Sequence, residues 1–210
     1  MLQSFFESTL GKAVVVAIIA FIFLLILIPT GKERKEKVDV KAMTVSALMI
    51  ALAVGLGLIK VFEMPQGGSV TAFSMLPIVI VGYFYGVRRG VIAGICLGLL
   101  NLIFGPYVIH PAQMLLDYPI AFGALGLSGI FSKMKNGLAI GYITAIIGRY
   151  ACAVLSGVIF FAEYTPEGFN PVTWSLWYNF TYIFAEGVIT VIIISLPMVK
   201  NAFYRLKSRV

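Results

Sequence analysis

Three ionisable residues stand inside otherwise apolar stretches of the chain: Asp117 in LLDYP, Arg149 in GRYA and Glu186 in FAEG. A charge placed in hydrocarbon is costly, so each marks either function or a partner that neutralises it. Two acids against one base leave one carboxylate over, which suits a cationic ligand or a bound proton. A mutually neutralising network holding helices together is the structural alternative, strongest for Arg149 with one of the acids. Near the ends of the same runs lie Tyr107, Tyr118, Phe160, Phe161, Tyr164, Trp174, Trp177, Tyr178 and Tyr182. Trp177 and Tyr164 read as members of an interfacial belt. Asn179 differs, because a buried amide needs partners. Asp117, Tyr118, Trp174 and Asn179 together supply charge, stacking and hydrogen bonds to one pocket.

Other chemistries find no support. Cys96, Cys152 and the single histidine, His110, have no metal-ligand spacing, and the cysteines read as small core residues. There is no phosphate-cradling Gly/Lys loop, HExxH, nucleophile elbow or Cys/His cluster. The expectation is therefore a protein that is not an enzyme, with no catalytic residue, metal or cofactor. Active transport would draw on an ion gradient or on another subunit. The sequon Asn179-Phe180-Thr181 begins a membrane span and is discounted.

The elements that must position these residues are membrane helices. The chain has 210 residues, 60% hydrophobic and 12% charged, with a mean hydropathy of +0.98. Soluble domains are about half apolar and about a quarter charged. These values exclude a disordered chain, a nucleic-acid-binding domain and an ordinary soluble enzyme. Apolar runs cover about 13–29, 42–62, 71–85, 90–105, 114–131, 137–162 and 172–199. With about 20 residues needed per span, this is an all-α polytopic bundle of one helix plus six. Residues 1–30 form the extra N-terminal transmembrane helix, 31–41 a basic cytoplasmic linker, and 42–210 the six-helix domain. No basic stretch precedes the first run and no small-residue cleavage site follows it, so it reads as a retained helix rather than a signal peptide.

Basic residues orient the bundle. Lys32, Arg34, Lys35, Lys37, Lys41, Arg88, Arg89, Lys133, Lys135, Lys200, Arg205, Lys207 and Arg209 make 13 of the 16, all on one side. The amino terminus is thus expected outside and the carboxyl terminus in the cytoplasm of a cell whose plasma membrane the chain crosses several times. The basic excess needs no nucleic acid to explain it. The alternate segments, 63–70, 106–113 and 163–171, lack Lys and Arg and are rich in Pro, Gly and polar residues. Longer outer loops over tight inner turns suggest a site that opens outward. Ala47, Ala51 and Gly55 are spaced four apart on one helix face, and Gly94 and Gly98 on another. Such faces permit close helix contact. Gly94 and Gly98 read as packing inside the bundle; Ala47, Ala51 and Gly55 fit either that or a partner surface.

Two long signatures, GPYVIHPAQ followed by DYPIAFG and LSGVIFFAEYTPEGFNP, lie within residues 72–187. This region resembles the thiamine-specific substrate-binding subunits of energy-coupling-factor transporters. The resemblance implies a six-helix membrane subunit that takes thiamine from outside. It would dock on a transmembrane scaffold subunit and two ATP-hydrolysing subunits, ATP being used by those partners only. An Ala-rich face of the family's first helix meets the scaffold, and Ala47 and Ala51 stand there. The family's acidic-Tyr pair falls on Asp117 and Tyr118, with Asp one methylene shorter than the usual Glu. Its basic residue falls on Arg149, its Gly on Gly157 and its Asn on Asn179. Three positions depart: Ala153 replaces a His, Phe161 a Trp and Trp174 a Tyr. The leading reading is thus a thiamine-binding transporter subunit. The alternatives are a related subunit for a thiamine precursor or another vitamin, and a stand-alone secondary transporter of an organic cation. No inverted repeat is evident, which weighs against the last.

Overall fold

The computed structural model describes residues 9–28 and 39–209. Lys32, Arg34, Lys35 and Lys37, and with them most of the basic linker, lie outside the described residues. Helix α1 covers Thr9–Leu27 and α2 Val40–Leu58. Asp39 caps α2, its carboxylate accepting from the Ala42 N–H at 3.0 Å, and it also meets the Arg89 guanidinium at 3.4 Å.

The expected second span to residue 62 is too long. After Leu58 the chain turns into a hairpin, β1 (Lys60–Glu63) antiparallel to β2 (Ser69–Thr71). The turn between them takes Gln66 to φ 60° and Gly67 to φ 90°, and the Met64 N–H reaches the Gly68 carbonyl at 2.7 Å. Lys60 is therefore not in a span but on the hairpin, paired with Glu63.

Helices α3 (Leu76–Tyr85) and α4 (Val87–Asn101) follow, separated by Gly86 at φ 91°. Helix α5 (Pro111–Phe131) changes its winding along its length. It opens α-helical after His110, whose Nδ1 accepts from the Ala112 N–H at 3.0 Å. Over Leu116–Ile120 it widens to a π turn, in which the Ala121 N–H reaches back to the Leu116 carbonyl. Pro119 lies inside that turn and has no N–H to give, which frees the ladder to widen. From Ala124 to Phe131 it tightens to 3₁₀. Helix α6 runs over Gly137–Phe160 and α7 over Pro171–Ser195, the latter capped by Asn170. The expected last span to residue 199 is broken. Leu196 is extended before Pro197, as the residue preceding a proline tends to be. Pro197–Lys207 then forms a separate amphipathic helix, α8.

Among the described residues, α2, α5, α6 and α7 are long and apolar enough to cross a membrane. Helix α3 is apolar but only ten residues long. Helix α5 sits at the centre, packed against α3, α4 and α6. Glycines make this possible. A Cβ on Gly94 would collide with the Phe122 carbonyl, on Gly98 with that of Tyr118, and on Gly126 with the backbone of Val91. The Gly94/Gly98 face is thus internal packing. Ala47, Ala51 and Gly55 are exposed, and nothing lies within 4 Å of a Cβ built on Gly55. Cys152 is buried, but Cys96 is exposed and does not join the core. Helix α1 lies against α4 and the start of α5, where Val16 packs with Leu116, Ile120 and Cys152.

Gly98→Ala is expected to destabilise the bundle by about 1–3 kcal/mol, because the methyl group must displace backbone rather than a side-chain tip. Gly55→Ala should not destabilise it. Thermal unfolding of the two variants in detergent checks the contrast.

Candidate ligand cavity

A cavity of about 230 Å³ opens beneath the hairpin, between α2, α4, α5, α6 and α7. Asp117, Tyr118, Arg149, Gly157, Phe161, Trp174 and Asn179 all line it. Residues distant in sequence meet there because α5 is wound into its π turn at Asp117 and Tyr118, while Gly157 lets α6 and α7 close on each other. A Cβ at Gly157 would collide with Ser175. Ala153, where the resembled family has His, also lines the cavity.

The three charges do not neutralise one another through ion pairs. Asp117 accepts from Gln113 Nε2 at 2.6 Å. Arg149 lies with its guanidinium 4.2 Å from the centre of the Phe122 ring, a cation–π arrangement. Glu186, 3% exposed, accepts from Thr71 N–H at 3.0 Å and Thr71 Oγ1 at 2.6 Å, with the Met75 N–H at 3.4 Å. The alternative of a mutually neutralising network is thus not what is seen: neutral donors hold the two carboxylates. Charge-assisted bonds of this kind hold a carboxylate without cancelling its charge.

The polar walls are mostly engaged within the protein. Asn179 Nδ2 donates to the Ser175 carbonyl at 2.9 Å and lies 3.3 Å from that of Ala153. Its Oδ1 accepts from Tyr182 Oη at 2.9 Å. What Asn179 keeps for a ligand is acceptor capacity at Oδ1, which has a second lone pair. Tyr118 Oη accepts from the Tyr107 N–H at 2.9 Å. Phe161 stacks on Tyr107 at 5.9 Å, and Trp174 lies 5.4 Å from Phe169 and 6.0 Å from Tyr178. Trp177, by contrast, is 59% exposed and stacks on Phe180 outside the cavity, as an interfacial residue would. Tyr164, read as interfacial from sequence, lines the cavity instead.

Sequence reasoning missed the groups that hold the site. Gln113, 1% exposed, clamps Asp117 and also binds the loop before α5 through the Tyr107 carbonyl and the Ile109 N–H, both at 3.1 Å. Its spacing of four from Asp117 on one helix was an available signal. Tyr178 accepts from the Gly68 N–H at 3.1 Å and donates to the Pro65 carbonyl, and Thr181 Oγ1 reaches Met64 Sδ at 3.3 Å. With Glu186 these side chains strap the hairpin to α7.

Helices able to cross a bilayer, gathered round a cavity of aromatic rings and retained charges, define a membrane-embedded binding bundle for a small molecule. Residues 43–205 match the family model described as thiamine transporter protein (Thia_YuaJ). The chain belongs to this family of membrane proteins. It is 35% identical over 180 residues to the thiamine transporter ThiT of Bacillus subtilis (strain 168), covering 79% of this chain and 91% of that one. It is 32% identical over 139 residues to ThiT of Lacticaseibacillus paracasei, covering 58% and 69%. The solved structure of ThiT from Listeria monocytogenes shares the fold, with a TM-score of 0.65 at 23% identity over 76% of this chain and 97% of that one. Helix α1 precedes the region that the family model matches.

Gln113→Leu removes a donor from Asp117 and two bonds from the loop before α5. It is expected to cost about 1–3 kcal/mol of stability, the penalty for leaving buried polar groups unmade. A lowered unfolding midpoint in the purified protein checks this; an unchanged midpoint would mean that the clamp is not needed.

Proposed function

We propose that this chain is the thiamine-binding membrane subunit of an energy-coupling-factor transporter. It takes thiamine from the outer side and delivers it inward when docked on a scaffold subunit and two ATP-hydrolysing subunits. The observation that carries the reading is the cavity itself, which joins a retained carboxylate to several aromatic faces. Thiamine is a cation with two flat heteroaromatic rings. Asp117 would balance its charge, and Tyr118, Phe161 and Trp174 would stack on its rings. The free lone pair of Asn179 Oδ1 would accept from the exocyclic amine. Arg149, held over Phe122, would meet the hydroxyl end. Gly157 would leave the wall thin enough for a ring to lie against it. The names of the relatives support the ligand, and the aromatic walls would compensate for the imidazole absent at Ala153.

In this reading α1 is the added span before a six-helix domain, with the amino terminus outside and the basic end of the bundle in the cytoplasm. Ala47, Ala51 and Gly55 would form the face that meets the scaffold. Their exposure and the open space at Gly55 support this, since small residues allow a second helix to approach closely.

Titration of the purified protein with thiamine, followed by intrinsic fluorescence, tests the ligand. Saturable quenching is expected in wild type and in Trp177→Phe, and its loss in Trp174→Phe. Asp117→Asn should weaken binding by about 1–3 kcal/mol while the fold persists. Quenching that follows Trp177, or an affinity indifferent to Asp117, would sink the assignment of this cavity. Ala51→Leu should abolish uptake in cells yet leave thiamine binding by the purified chain intact. Loss of both together would mean that this face packs within the bundle.

A further inference from the structure

The end of the molecule opposite the hairpin carries a second cavity, of about 300 Å³, tucked under α8. Leu138, Ile140, Ile194 and Phe203 give it apolar walls, and Lys200 stands among its lining residues. Helix α8 is held over it at several points. Tyr204 Oη accepts from the Asn136 N–H at 2.9 Å, and Lys207 Nζ donates to the Ser132 carbonyl. The Lys207 ammonium also lies 3.4 Å from the centre of the Tyr83 ring, and its pKa is lowered by burial. Met198 and Leu206 of the same helix are exposed, Met198 at 86%. Amphipathic character and a basic face are the marks of a helix lying at a membrane surface.

The charge at this end is one-sided. Among the described residues it carries Lys41, Arg88, Arg89, Lys133, Lys135, Lys200, Arg205, Lys207 and Arg209 against Asp39 alone. Asp39 is already engaged by Arg89, whereas Lys200 makes no ion pair among the described residues and lies 5.9 Å from the Tyr204 ring centre. An apolar recess with a cationic rim fits a molecule that is apolar in its body and anionic at its head. Basic pockets between helices near the membrane surface bind acidic headgroups in this way.

We propose that the cavity under α8 binds one anionic phospholipid, its phosphate at Lys200 and part of an acyl chain between Ile140, Ile194 and Phe203. The lipid would seat α8 against α6 and α7 and so fix the break at Leu196–Pro197. The proposal is independent of the ligand of the outer cavity.

Native mass spectrometry of the full chain, purified and mixed with equal amounts of phosphatidylglycerol and phosphatidylcholine, tests it. One phosphatidylglycerol should be retained in preference to phosphatidylcholine. Lys200→Gln should lower that retention about fivefold, the effect of one basic residue near an acidic lipid, and Lys200→Arg should restore it. Ala139→Trp, placed in the cavity wall, should remove retention with the charges unchanged. Should that variant fail to fold, the Lys200 pair decides alone. Equal retention of the two lipids, or retention indifferent to Lys200, would overturn the site. Displacement of the lipid by millimolar phosphate would make it a site for a free anion. Displacement by an acidic peptide would make it a protein-docking surface. Either result overturns the lipid assignment.

Discussion

The carbonyls of Tyr118 and Phe122 lie so close to Gly98 and Gly94 that no side chain fits between α4 and α5. That contact lets a helix of irregular winding occupy the middle of the bundle. A π turn is a weak structure by itself, and a 3₁₀ stretch of eight residues is longer than usual. Both persist here because flat glycine surfaces on the neighbouring helices hold them on several sides. The reward is positional. The π turn sets Asp117 and Tyr118 on the cavity wall, next to groups supplied by α6 and α7. Were α5 a regular helix, one of the two would be carried round toward a neighbouring helix.

The two carboxylates of the cavity are treated differently. Glu186 is surrounded by donors from the base of the hairpin and serves to join that segment to α7. Asp117 has an amide donor one turn away and retains exposure to the cavity. Burying a carboxylate without a cationic partner costs free energy that hydrogen bonds only partly offset. Glu186 approaches full satisfaction, while Asp117 remains the group for which a cation brings the larger gain. Arg149 makes no ion pair with it and faces the ring of Phe122, so it offsets that gain only through space.

Much of this was legible in the residues. Long apolar runs reveal α2, α5, α6 and α7, and the scarcity of charge makes Asp117, Arg149 and Glu186 conspicuous. Their partners were not legible, since Thr71 and Glu186 are separated by 115 positions and both types bond to many things. The hairpin was hidden because Val61 and Phe62 prolong the apolar run past Lys60, its signals being the charges of Lys60 and Glu63 and the Pro-Gln-Gly-Gly turn that follows. The break at Leu196 was marked by Pro197 but masked by the hydrophobic residues on either side. The small-residue faces illustrate the same limit. Gly94/Gly98 and Ala47/Ala51/Gly55 have equivalent spacing, yet one is packed inside and the other is open. Only the arrangement of the other helices separates them.

The shortness of α3 has a consequence for how close the two cavities lie. The cavity beneath the hairpin reaches Met75, just before α3, and the one under α8 reaches Tyr83, near its end. Eight residues of helix separate these levels, about 12 Å at 1.5 Å per residue, against roughly 30 Å of hydrocarbon. The intervening septum includes Ile78, Val79 and Val81, all at 0% exposure. The two cavities are thus kept apart by about two turns of interlocked side chains, a much thinner partition than the length of a full span.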